Sequence, residues 1–246
     1  MELSFWAKTS GTWINAASVL LGTGLGLLLH GRLSLKLRQT VVQGVGLTTL
    51  FIGFLMAKSL TDESLGQGGV VLGLLAIALG GALGEALGIE AGLEAVGERV
   101  KAAVRGGGRF TEGFLTASLL FCVGPMTVIG ALNNGLLGDP SLLLVKATLD
   151  GISSIALAAT LGVGVGFSVI VVLLYQIGLS LLAGALGGVL PDPAHDPRVL
   201  LATGVGGLMV IGIGLNLVEA TRVRVGSFLP ALFLAPLFVW LWDLVS

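Results

Sequence analysis

Lys146 and Asp150 stand four residues apart in an otherwise oily stretch, with Leu142, Leu143, Leu144 and Val145 before them and Leu149 between. On a helix that spacing puts both on one face, and Ser153 and Ser154 continue it. An ionisable side chain at the centre of a membrane helix costs about 2.5–3.5 kcal/mol or more, so each needs a partner or a purpose. Two chemistries are open. The two side chains can form an ion pair that fixes packing. Alternatively, the carboxylate is an ion or proton site, neutralised by Lys146 until a cation or solute competes for it. At 1.5 Å per residue from a helix start near Asp139, Lys146 lies roughly 10 Å in and Asp150 roughly 16 Å in. Lys146 can snorkel to the surface; Asp150 cannot.

The residues upstream of the pair extend this chemistry. Pro125 removes a backbone donor and disfavours helix at Gly124, so the pair Gly124-Pro125 predicts a kink or break at membrane depth. A break there frees carbonyls that can face a cavity. Thr127, Asn133 and Asn134 follow; in lipid such groups either bond across helices or line a polar path. Asp139-Pro140 reads as a helix N-cap with proline at the first helical position. The predicted solute or ion pathway is therefore Thr127, Asn133, Asn134, Lys146, Asp150, Ser153 and Ser154. Single polar residues within other apolar spans, Asn15, Gln43, Glu85, Gln176 and Asn216, are secondary candidates.

The elements that must position these residues follow from composition. Hydrophobic residues make up 54% and charged residues 11% of 246, with glycine at 40 positions and a mean hydropathy of +1.01. A soluble domain carries about 25% charged residues. Apolar runs of about 20 residues recur, the length of a membrane-crossing helix. The fold class is all-α: a polytopic bundle of about eight spans. These begin near Thr12, Thr40, Gly69, Thr111, Ser141, Gly166, Val199 and Phe228. The fourth is expected to break near Gly124-Pro125. Gly162-Val163-Gly164-Val165-Gly166 interrupts an apolar run too long for one crossing, and Pro191-Asp192-Pro193 stops the sixth span. Gly80, Gly84 and Gly88 put three bare patches on one helix face for close packing. Between spans three and four, Ile89, Leu93, Val96, Val100 and Val104 recur at helical spacing among charged residues, the pattern of an amphipathic surface helix.

Positive charge sets the orientation. The odd-numbered connections hold Arg32, Lys36, Arg38, Arg99, Lys101, Arg105, Arg109, Arg222 and Arg224; the other side holds Lys8, Lys58 and Arg198. Nine against three places the odd loops in the cytoplasm and both termini outside. The whole chain reads as a single transmembrane domain. Within it, Gly22-x-Gly24-x-Gly26, Gly44-Val45-Gly46 and Ile52-Gly53 are echoed by Gly184-x-x-Gly187-Gly188, Gly204-Val205-Gly206 and Ile211-Gly212. Residues 12–89 and 166–245 would then be repeats flanking a central polar helix pair at 111–161. An odd helix offset makes such repeats inverted, a transporter signature.

A net charge of −1 and a lone Cys122 leave no nucleic-acid footprint and no internal disulfide. Nothing in the spacing of His, Cys, Asp or Glu suggests a metal, a cofactor or an enzyme. The block from Trp13 to Gly22, the block Gly135-Leu136-Leu137-Gly138-Asp139-Pro140-Ser141-Leu142 with Lys146 and Leu149 to Ser154, and the late Leu229-Pro230-Ala231-Leu232 resemble the bacterial DUF554 membrane proteins. The resemblance implies a bacterial inner-membrane protein and supplies no substrate. The chain departs from it at Asn134, where the pattern often has an acidic residue. The expected function is membrane transport: a secondary transporter or ion-coupled permease with its polar site between spans four and five. The alternatives are a membrane scaffold or an ion channel. Expected partners are the lipid bilayer and a small solute or ion (H+ or Na+), with a homo-oligomer left open.

Overall fold

The computed structural model describes residues 3–30, 34–186, 192 and 195–245, which form ten α-helices and no strand among them. In chain order these are α1 (Phe5–Leu29), α2 (Leu35–Ala57), α3 (Gly69–Ala86), α4 (Ile89–Ala103), α5 (Phe110–Cys122), α6 (Pro125–Leu137), α7 (Ser141–Leu161), α8 (Gly164–Leu186), α9 (Pro197–Leu217) and α10 (Ala231–Val245). Seven stretches are long and apolar enough to cross a membrane singly, and α5 with α6 makes an eighth as a pair bent by 60°. Helix α4 is the amphipathic segment expected between spans three and four. Of the sequence signals, Gly31, Arg32, Gly187, Gly188, Pro191 and Pro193 lie outside the described residues.

The chain divides into two compact units, Met1–Val45 with Val96–Pro191, and Gly46–Ala95 with Asp192–Ser246. In the first unit α1 lies along α7. Gly11 meets Leu143, Gly22 meets Gly151 and Gly26 meets Ile155, an ascending register that makes the two helices parallel. Side-chain carbons at Gly22 or Gly26 would collide with the carbonyl oxygens of Gly151 and Ile155. The glycines thus let the two backbones touch, where dispersion contacts rather than water drive association.

The same reasoning decides how the bent pair crosses. Gly164 meets Phe110, Gly113 meets Val165, Ser180 bonds Ala131 and Gly135 meets Ala183. Contacts climb steadily from α5 through α6 along a single α8, so both halves run in the same direction. The pair is one broken span and not a re-entrant loop. The break expected near Gly124-Pro125 falls at Val123 and Gly124, and the two halves together run from Phe110 to Leu137, past the expected bounds of Thr111 and Leu132. In the second unit Gly46, Gly53 and Gly207 set α2 antiparallel to α9, and Gly80 and Gly84 seat α3 against Ala231 and Ser227. Gly88 does not share that face: α3 ends at Ala86, and Gly88 has a left-handed φ of 64° beyond it.

Near the start of α4, burial holds the half-buried Glu90 carboxyl above the usual carboxylate range, and neighbouring Glu94 adds to this against an opposing bond from Gly226. A raised carboxyl favours folding while it is protonated, and that contribution is lost as pH rises through the raised value. Glu90→Gln is therefore expected to melt no lower than the parent at neutral pH. The advantage should shrink in acid, as followed by thermal unfolding at several pH values.

Candidate functional site

Helix α7 carries Lys146 and Asp150 into the interior of the first unit, each 6% exposed. Lys146 Nζ donates to both carboxylate oxygens of Asp150, at 2.9 and 2.7 Å. Asn15 of α1 donates through Nδ2 to Asp150 Oδ2 at 3.1 Å. The ring of Phe121, in the last turn of α5, lies 5.9 Å from Lys146 Nζ, within cation–π range. Breaking such a buried pair is costly because it leaves a lone charge, whereas the intact pair adds little net stability.

Two hydroxyls brace this centre. Ser154 Oγ donates to the Asp150 main-chain carbonyl at 2.7 Å, one turn back along α7. Ser18 Oγ donates across to the Ala147 carbonyl at 2.6 Å, tying α1 to α7 beside the pair.

The break between α5 and α6 is organised by chemistry the sequence contains. Proline has no N–H, so Pro125 cannot serve the Phe121 carbonyl one turn earlier. Thr127 Oγ1 supplies that donor at 3.1 Å. The N–H groups of Thr127 and Val128 both turn to Gly124 O. The Val123 carbonyl thereby loses the donor that an unbroken helix would give it.

Asn134 is wholly buried, and its side chain enters the hydrogen-bond ladder of α1. It accepts from Gly11 N–H at 2.8 Å and donates to Ala7 O at 2.9 Å and Ser10 Oγ at 3.2 Å. Gly11 and Ala7 are the donor and acceptor one helical turn apart, so the amide acts as an inserted peptide group. Asn134→Ala removes all three bonds, at about 1–3 kcal/mol for the buried groups left behind. Hydrogen exchange at Gly11 and the first three turns of α1 is expected to quicken in that variant while α7 stays protected.

The remaining sequence candidates fall into four groups. Asn133 and Ser153 are half-buried on neighbouring faces of their helices, outside the hydrogen bonds that hold the pair. Gln43 is exposed on α2. Glu85 is exposed and pairs with Arg224 at 2.6 Å, and Asn216 exchanges two bonds with the Val223 main chain at 2.7 and 2.8 Å. Both of these belong to the second unit and only fix its turns. Gln176 is wholly buried in α8, and neither of its amide atoms has a hydrogen-bond partner among the described residues.

Asp139 and Pro140 sit one position earlier than expected. Helix α7 starts at Ser141 with Pro140 at the cap position, and the Asp139 carboxylate reaches the Ser141 N–H at 2.9 Å. This two-residue bridge does the capping work from outside the helix. The Ser141 hydroxyl and N–H hold Asp139 below the usual carboxylate range.

Asn15 is only a secondary candidate in the sequence, and nothing in the motifs picks out Phe121 or Ser18. A signal for two of them was available. Gly11, Asn15, Ser18, Gly22 and Gly26 form one unbroken small or polar stripe on α1, which marks the face that packs on α7. Phe121 had no comparable signal.

The sequence model of a family described as "Protein of unknown function (DUF554)" matches residues 10–240. The chain is 30% identical to "Uncharacterized protein YqgA" of Escherichia coli (strain K12), over 92% of this chain and 94% of that protein. It is 25% identical to "Uncharacterized membrane protein YdfK" of Bacillus subtilis (strain 168), over 94% of this chain and 95% of that protein. No solved structure matches.

Proposed function

The chain is a multi-pass membrane protein of the DUF554 family, and we propose that it is a secondary transporter or ion-coupled permease. One observation carries this reading: an ion pair buried at mid-helix, beside a span whose backbone is interrupted at the same depth. Broken helices at the midplane are where transporters expose main-chain groups to solutes and coupling ions. In this reading Asp150 and Lys146 neutralise each other at rest. An arriving cation, H+ or Na+, competes for the carboxylate and loosens Lys146, which couples ion entry to solute movement.

The reading places the protein in the bacterial inner membrane. Eight crossings put both termini on one side, and the nine-to-three charge split makes that side the outside. Reporter fusions at the C-terminus and near Lys101 should report opposite compartments. An inverted repeat, with spans one to three matching six to eight, belongs to the same reading and would show as a superposition of the two triplets about an axis in the membrane plane.

The scaffold reading has an observation of its own. The amides of Asn134 and Asn216 are spent on bonds within the protein, four of them to main-chain groups and one to the Ser10 hydroxyl, as purely structural residues would be. The two readings separate in vesicles loaded with a pH-sensitive dye and assayed in parallel for 22Na+ uptake. Lys146→Leu with Asp150→Leu replaces the pair by apolar groups, which buried ion pairs commonly tolerate. The double variant should fold and carry no ion flux, as should the charge-swapped Lys146→Asp with Asp150→Lys. Flux equal to the parent's in the apolar variant would sink the transport site.

A further inference from the structure

The pair leaves a second set of buried polar atoms in the same unit without an explanation. Neither amide atom of Gln176, nor Asn15 Oδ1, nor Thr12 Oγ1 has a hydrogen-bond partner among the described residues. All three residues are 0% exposed. An orphaned buried polar atom costs about 1–3 kcal/mol, so a group of them implies something bound.

Helix register brings them to one level. In α8 Gln176 lies one turn before Ser180, which bonds Ala131 of α6, and on the same buried face as Val165, which meets Gly113 of α5. Interpolating between those contacts sets Gln176 against the break at Val123 to Met126. In α1 Thr23 faces Gly166 of α8. Thr12 is three turns earlier on that face, and α1 runs opposite to α8, so Thr12 arrives opposite Gln176. Asp150, bonded to Asn15, lies twelve residues before the turn at Gly162 and Gln176 fourteen beyond it, which sets the two within about a turn of one level.

We propose that Thr12, Asn15 and Gln176, together with the Val123 carbonyl and Asp150, form a buried site for a monovalent cation of Na+ size. The proposal rests on the transport reading of this unit and names its coupling ion. The acceptors are an amide oxygen from each of Asn15 and Gln176, a hydroxyl, a main-chain carbonyl and one carboxylate. That all-oxygen set suits a hard cation. A divalent ion is disfavoured because the single carboxylate is already offset by Lys146, whereas such sites gather several. An anion would face acceptors. A cation beside Asp150 also provides the competition that frees Lys146, while Gln176 Nε2 is left to a water or to the co-bound solute.

Thermal unfolding of the full chain in detergent tests this, in sodium, potassium and choline chloride at equal ionic strength. Sodium should raise Tm saturably, by about 5–10 °C at a hundredfold excess over its dissociation constant, and potassium less. Thr12→Val and Gln176→Leu remove oxygens at nearly constant shape. Each should abolish the sodium increment while melting no lower than the parent in choline. The same Tm in sodium and choline would overturn the site and leave only water in it, and so would an undiminished increment in both variants. Should Gln176→Leu fail to fold, Thr12→Val alone decides. A sodium increment without ion flux in vesicles would uphold the site and remove the transport reading. Ion flux with no sodium increment would do the reverse.

Discussion

Asp150→Asn is expected to cost about 3–5 kcal/mol of stability and to abolish ion flux. The change keeps the side-chain shape but strips the charge that Lys146 answers, leaving an ammonium 6% exposed beside an aromatic ring. Lys146 would have to snorkel or lose its proton, and either loosens α7 against α1 and α5. Lys146→Leu with Asp150→Leu separates the two effects, because it removes both charges together. Urea or thermal unfolding should find that double variant near the parent, and far above Asp150→Asn. Its flux should nevertheless be as low as that of the single variant. A single variant as stable as the parent would mean that the pair does not hold Lys146 in place.

Gly22→Ala is expected to do comparable damage without touching a charge. The added carbon would collide with the Gly151 carbonyl oxygen and press on the Ser154 side chain, where α1 and α7 touch. A carbonyl fixed in a helix cannot swing away, so the helices must separate, at about 1–3 kcal/mol or more. Separation would also lengthen the bond from Asn15 to Asp150. Gly24→Ala, two residues along, meets nothing within 4 Å and should gain up to about 1 kcal/mol from helix propensity. Thermal unfolding of the two variants side by side should show shifts of opposite sign. Equal shifts would remove the packing role assigned to Gly22.

Much of this arrangement can be read in the sequence because its physics is local. The Lys146–Asp150 pair is a four-residue spacing on one helix, Gly124-Pro125 is a backbone rule, and span lengths follow from apolar runs. What could not be read is which helices touch. Asn15 looked like one isolated amide among several until α1 lay parallel to α7, and Gln176 gained meaning only from its level in α8. Asn134 was expected in a polar path, but its amide is spent inside the α1 ladder, an interaction between residues more than a hundred positions apart. Asp139 capped its helix from one residue further out because an aspartate can bridge two residues as readily as three. Phe121 carries no sequence mark at all, since a phenylalanine in a membrane helix ordinarily faces lipid or core.

The transport claim requires that water and solute reach a centre that is sealed in this conformation, where Ser154 is 0% exposed. A thiol at that position is the direct probe, with Cys122→Ala removing the lone native cysteine. Ser154→Cys in that background should react with a small hydrophilic thiol reagent added to either side of sealed vesicles, at rates that change when sodium replaces choline. A thiol protected from both sides, yet reactive once the protein is unfolded, would contradict the account.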